Sequence, residues 1–185
     1  MASVELAAVE RRATAAYERA ALRRAAVGAL PMVVVGIAAV ALARDTWPTI
    51  LLAAAVVLVS AVALWVRRGA HTAVALGFFA GLVPFVASVT ASRLGGHVCT
   101  PTGCVSMCLP ACTAAGAVAA VLVARAAARR RAGPLFWLVA SGMTVATGAL
   151  GCSCAGFAGA SGMLAGYLLT VLPVAAMARL RASRR

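Results

Sequence analysis

Six apolar segments dominate this sequence, each close to the length of about 20 residues that crosses the hydrocarbon core of a bilayer. They are predicted near residues 27–43, 47–66, 71–92, 106–124, 133–151 and 160–178. With 64% hydrophobic and 11% charged residues, and a mean hydropathy of +1.00, the chain lacks the polar residues that the surface of a soluble domain needs. We therefore predict an all-α integral membrane protein, built as a bundle of six transmembrane helices.

The positions of the arginines predict the orientation of these spans. If the N-terminus is cytoplasmic, all but two of the 17 basic residues fall on the cytoplasmic side, the exceptions being Arg44 and Arg93. Cytoplasmic loops of membrane proteins carry such an excess of basic residues. We therefore predict a multi-pass protein of the bacterial inner membrane with both termini in the cytoplasm. The net charge of +13 is explained by this orientation, so the bilayer is the expected partner and no direct contact with nucleic acid is expected.

The N-terminal segment, residues 1–26, is predicted to form a short cytoplasmic helix ahead of the transmembrane domain, residues 27–178. It is rich in Ala, its acidic residues come early and its basic residues late, as a helix dipole favours. It is either a solvated lead-in helix or a docking helix for a cytoplasmic partner. The candidate partner-binding residues are Val4, Leu6, Val9 and Tyr17. An arginine-rich cytoplasmic tail, residues 179–185, is predicted to end the chain.

Six cysteines fall on the outer side in this topology, in one group before and within the start of the fourth span and a second group after the fifth. They are Cys99, Cys104, Cys108, Cys112, Cys152 and Cys154. Cys108 and Cys112 lie one helical turn apart and are poorly placed to bond each other. Since a short inner loop should make the fourth and fifth spans antiparallel neighbours, Cys108 or Cys112 is expected within reach of Cys152 or Cys154.

Three kinds of chemistry fit these thiols. Paired thiols tend to form disulfides in the oxidising space outside the inner membrane, and the sequence leaves their pairing open. The second is the binding of a soft metal ion, which thiolates would hold as a bound ion or cofactor. Its candidate ligands are Cys108, Cys112, Cys152, Cys154 and His97. A redox switch that makes or breaks a disulfide is the third.

Enzymatic and transport functions have little support in the sequence. With only four acidic residues, paired-carboxylate catalysis is excluded, so an enzyme would have to use the cysteines and a non-enzymatic role is favoured. No charged residue falls inside a predicted span, which argues against an ion-coupled transporter. Two G-x-x-x-G pairs, Gly77 with Gly81 and Gly162 with Gly166, are interpreted as helix contacts.

The second half of the chain carries a family resemblance. A cysteine opens a span containing Pro110, an arginine-rich loop follows, the next span ends in GALGC, and the last contains Pro173. With six spans and a cytoplasmic N-terminal segment, this resembles the NrsF-like six-span membrane anti-sigma factors. The resemblance implies that the N-terminal segment holds an extracytoplasmic-function sigma factor and releases it on envelope stress. It also implies that Cys108 and Cys152 correspond to outer cysteines that sense metal or oxidant.

The sequence therefore favours a membrane-bound negative regulator that senses a soft metal or an oxidant through its outer cysteines and signals to a cytoplasmic partner. Two alternatives stay open: a membrane thiol-disulfide oxidoreductase, and a soft-metal carrier or binding protein. The oxidoreductase would use outer cysteine pairs, although the sequence has no C-x-x-C, whereas a carrier would need thiols along its path or on the inner side, where the sequence has none.

Overall fold

Each predicted span corresponds to one helix in the computed structural model of the chain, which describes residues 2–42, 46–66, 70–94, 97–100, 103–130, 132–152 and 157–183. The elements are α1 (Ala2–Leu42), α2 (Thr46–Val66), α3 (Ala70–Leu94), β1 (His97–Thr100), β2 (Gly103–Ser106), α4 (Cys108–Arg129), α5 (Pro134–Cys152) and α6 (Phe157–Ser183). The six helices are all long and apolar enough to cross a membrane. The prediction of a six-helix bundle is confirmed, and an antiparallel hairpin of β1 and β2 is added between α3 and α4.

The first helix differs from the prediction. Within residues 2–42 there is no break at residue 26, and α1 is one helix of 41 residues. At about 1.5 Å per residue it is about 60 Å long, roughly twice the thickness of a hydrocarbon core. Residues 2–26 contain no Gly or Pro that would end a helix, and Pro31 lies inside α1. Likewise α6 continues to Ser183, so the predicted tail boundary at residue 179 falls within a helix.

Glycine sets the separation of α3 and α5, one of the two most extensive helix pairs. A Cβ on Gly77 would lie 2.7 Å from the Cβ of Met143, and a Cβ on Gly81 would lie 2.6 Å from the Cβ of Thr147. Small residues permit such close approach between membrane helices. The Thr144 hydroxyl donates a hydrogen bond across this interface to the Gly77 carbonyl at 3.1 Å. The interpretation of Gly77 and Gly81 as contact residues is confirmed.

The second extensive pair is α4 with α6, and it is built in the same way. A Cβ on Gly162 would lie 3.0 Å from Thr113 Oγ1, and a Cβ on Gly166 would overlap the Thr113 carbonyl. Gly116 of α4 faces the backbone of Met163 on α6. Since α3 also packs against α4, these four helices form the centre of the bundle, and α2 contacts both α3 and α5, with α1 packed mainly on α2.

Replacing Gly166 with Ala should destabilise the protein by about 1–3 kcal/mol, the usual cost of overpacking, because the new methyl meets the Thr113 carbonyl. Gly142→Ala is the matched control, since a Cβ on Gly142 meets nothing within 4 Å. The measurement is denaturation of the purified variants in mixed micelles, followed by circular dichroism. Equal stability of the two variants would contradict the glycine contact.

Candidate functional site

Two cysteines meet where α4 begins and α5 ends. Cys152 Sγ lies 3.4 Å from Cys112 Sγ, and the Cys152 thiol donates to Cys112. Both side chains are 0% exposed. Both are free thiols, and their separation exceeds the ~2.05 Å of a disulfide bond. The predicted approach of the two cysteine groups is confirmed for this pair.

The expectation that the fourth and fifth spans are close neighbours explains this approach only in part. α4 and α5 touch, but far less extensively than α5 touches α3 or α4 touches α6. The end of α5 is held by α3: a Cβ on Gly151 would lie 2.5 Å from Phe85 Cα, and a Cβ on Gly148 would lie 2.8 Å from Pro84 Cγ. Because α3 packs against both α4 and α5, it brings the two cysteine-bearing ends together.

A third sulfur belongs to the same cluster. Met163 on α6 is 2% exposed and packs with Cys112 and Cys152 in one buried group, which we call the sulfur cluster. Gly148 lies one turn before Cys152, and a Cβ there would lie 2.5 Å from Met163 Sδ. Met163 was not among the site residues predicted from the sequence, because a single Met in an apolar span looks like any other core residue. Its only signal is the preceding glycine, which marks the α4–α6 contact.

Two further groups border the sulfur cluster. Ser88 on α3 is fully buried, and its hydroxyl donates to the Phe85 carbonyl at 2.8 Å and also interacts with the Cys152 thiol. Cys108, one turn before Cys112, is free and only partly buried. Of the thiols that the structure describes, Cys108 is therefore the most accessible, and the other two are buried.

The hairpin brings a different pair of cysteines into register. Cys99 and Cys104 are directly opposed Cα partners in the antiparallel ladder of β1 and β2. Opposed Cα atoms in such a ladder are about 4.5–5.5 Å apart, which lies within the range of about 4.4–6.8 Å found for disulfides. Their side chains are not part of the description. The backbone register thus pairs these two cysteines with each other.

The predicted metal ligands are only partly described. Cys154 lies outside the described residues, as does the side chain of His97. Among the side chains that the structure covers, no three His, Cys, Asp or Glu come together to hold a metal ion. Of the predicted ligands, the described structure places Cys112 and Cys152 in direct contact.

The predicted partner-binding residues lie on the N-terminal half of α1. The side chains of Val4, Leu6 and Val9 fall outside the description, and Tyr17 is 44% exposed. Tyr17 borders a cavity of about 480 Å³ that lies between α1, α2 and α3. Tyr17 is thus the one predicted partner-binding residue whose side chain the structure describes.

Comparison of the chain with protein-family models, with curated proteins and with solved structures finds no match. The resemblance to the six-span anti-sigma factors therefore stays a prediction. The chemistry open to the sulfur cluster therefore follows from its geometry alone.

Mild oxidation of the purified protein should form two disulfides, Cys112–Cys152 and Cys99–Cys104, because these are the two pairs that the structure places in contact or in register. Peptide mapping without reduction measures them, the second as a loss of two hydrogens within one peptide. Cys108→Ser is the control and should leave both disulfides in place. A dominant Cys108–Cys152 disulfide in the unmodified chain would contradict the described packing.

Proposed function

We propose that the protein is a membrane-bound negative regulator that senses a soft metal ion or an oxidant through its outer thiols. The observation that supports this proposal is the buried contact between Cys112 and Cys152, which belong to different helices. The resemblance described above suggests that the regulated partner is an extracytoplasmic-function sigma factor, held by the N-terminal part of α1. In this proposal a chemical change at the sulfur atoms alters the packing of the helices and thereby the hold on the partner.

Oxidation supplies a defined movement. Two thiols become one disulfide, releasing two protons and passing two electrons to the oxidant. The sulfur atoms must then move from 3.4 Å to ~2.05 Å apart. Because close-packed interiors do not deform smoothly, a shift of this size at the α4–α5 contact is expected to move whole helices.

The route from the sulfur cluster to the N-terminal segment runs along α5. This helix ends at Cys152, and further along it Met143 Sδ lies 3.4 Å from the hydroxyl oxygen of Ser60 on α2. α2 in turn packs along α1. Since α1 is continuous, a change of tilt in its membrane-crossing part would also move its projecting part.

The charges on α4 support the orientation that this route requires. Cys112 lies near the start of the helix, whereas Arg125, Arg129 and Arg130 lie exposed at the other end. A helix of 22 residues separates its ends by about 30 Å, the thickness of a hydrocarbon core. Placing the arginine end in the cytoplasm of a bacterial inner-membrane protein puts the sulfur cluster near the outer face and both termini inside.

Burial of the thiol pair favours a sensor over the two alternatives. A thiol-disulfide oxidoreductase must present a thiolate to the disulfide of its substrate, which a fully buried pair does not do. A soft-metal carrier needs ligands along a path through the membrane. The cysteines that the structure describes with their side chains all lie at one end of the bundle: Cys108, Cys112 and Cys152.

Reporter fusions should confirm the orientation. A reporter that is active only outside the cytoplasm should be active when fused after residue 97 or 155 and inactive after residue 68, 128 or 185. The physical reason is the retention of the arginine-rich loops on the cytoplasmic side. Activity at residue 128 would contradict the topology and the outer location of the sulfur cluster.

Cysteine variants test the function and distinguish a Cys112–Cys152 sensing pair from a Cys108–Cys152 sensing pair. Cys112→Ser and Cys152→Ser should abolish the transcriptional response to oxidant, while Cys108→Ser should retain it, because of the cysteine side chains that the structure describes it is Cys112, not Cys108, that contacts Cys152. Deleting residues 2–22 should leave the protein in the membrane but make the response constitutive. The measurements are membrane fractionation and transcript profiling of treated and untreated cells. Responses unchanged in both Cys112→Ser and Cys152→Ser would contradict the proposal.

A further inference from the structure

We infer that Cys112, Cys152 and Met163 form a binding site for a monovalent soft metal ion, of the chemical class of Cu(I) and Ag(I). This inference rests on the proposed thiol-sensing function and specifies the metal that acts at the sulfur cluster. It adds a ligand that is neither a cysteine nor a histidine.

Three helices each contribute one sulfur to this site. Cys112 comes from α4, Cys152 from α5 and Met163 from α6, and none of the three is more than 2% exposed. Met163 is held between two glycines, Gly116 facing its backbone and Gly148 facing its Sδ. Gly116 lies one turn after Cys112 and Gly148 one turn before Cys152, so the thioether lies one turn deeper in the bundle than the thiol pair.

The thioether decides which metals suit the site. Thiolate and thioether sulfurs are soft ligands that select Cu(I), whereas Zn²⁺ is bound by Cys, His and carboxylates. In the part of the chain that the structure covers, no third His, Cys, Asp or Glu joins the pair to complete such a zinc set. Two cysteines and one methionine are therefore the ligand set of a monovalent soft ion.

Binding of a monovalent ion also preserves the charge of this buried site. One S–H bond breaks and one proton leaves; the resulting thiolate, the remaining neutral thiol and the Met163 thioether would each donate a sulfur lone pair to the ion, so the total charge stays the same and nothing is oxidised or reduced. A site within an apolar bundle tolerates such an exchange because no uncompensated charge is created.

The spacing of the two cysteines needs only a small adjustment. Metal–sulfur bonds of about 2.3 Å in a trigonal site separate the sulfurs by about 4 Å, compared with the observed 3.4 Å between Cys112 Sγ and Cys152 Sγ. Metal binding would therefore open the α4–α5 contact slightly and draw in α6 through Met163. Disulfide formation would draw the two cysteine sulfurs together and would form no bond to Met163.

The test uses full-length protein in detergent, with Cys99, Cys104, Cys108 and Cys154 replaced by Ser, and Ag(I) as the probe in chloride-free buffer. Ultraviolet absorption of the silver–thiolate bond and native mass spectrometry give affinity and stoichiometry. One Ag(I) should bind, and Met163→Leu should weaken binding at least about tenfold, since loss of even an outer metal partner costs about 10–100-fold. Met143→Leu is the matched control, because Met143 is 4% exposed and lies in a different core cluster.

Oxidation of the Cys112–Cys152 pair is the second readout and should be unchanged in Met163→Leu, which shows that the bundle is intact. Should Leu disturb the packing, Met163→Cys decides, because a thiol restores a soft ligand and should bind Ag(I) at least as tightly as the parent. Weaker binding by Met163→Cys, equal affinity in parent and Met163→Leu, or Zn(II) binding as tight as Ag(I), would overturn the inference.

The same experiment distinguishes a failure of the metal site from a failure of the proposed thiol-sensing function. Absence of Ag(I) binding in a protein whose pair still oxidises would reject the metal site and leave the thiol-sensing function in place. A pair that neither binds Ag(I) nor oxidises would reject both.

Discussion

Close contact of helix backbones at glycine is the interaction on which the rest of this bundle depends. Between apolar helices in lipid there is little hydrophobic driving force, so packing and interhelical hydrogen bonds must hold the helices. Gly77 and Gly81 allow α5 onto α3, and Gly166 allows α6 onto α4. Such close approach has a cost. The Thr147 hydroxyl, which belongs to the residue facing Gly81, is buried without a hydrogen-bond partner in the described structure.

The sulfur cluster is a consequence of these contacts. Gly148 and Gly151 hold the end of α5 on α3, and α3 also packs against α4, so Cys152 reaches Cys112 although α4 and α5 share little surface. A site at a lightly packed contact between tightly packed pairs suits a sensor. Chemistry at the sulfur atoms can change the α4–α5 contact without breaking the glycine interfaces on either side, and the helices then carry the change as units.

Much of the fold could be predicted because its signals are local. Apolar length marks each span, arginine marks the loops, and G-x-x-x-G spacing marks surfaces of close contact. The continuity of α1 through residue 26 could not be predicted in this way, since Ala-rich sequence is compatible with both a solvated helix and a membrane-crossing one. The pairing of α3 with α5 and of α4 with α6 was also beyond prediction, because a glycine motif does not specify its partner.

The class of this protein, six apolar helices with cysteines gathered near the start of α4 and the end of α5, is encoded in composition and position along the chain. The contact of Cys152 with Cys112 rather than Cys108, and the packing of Met163 against that pair, depend instead on how the helices pack. Residues one helical turn apart are equivalent in a sequence pattern. Which of them faces a distant residue depends on the rotation and depth of each helix, and those are set by packing against neighbours that lie far away in the chain.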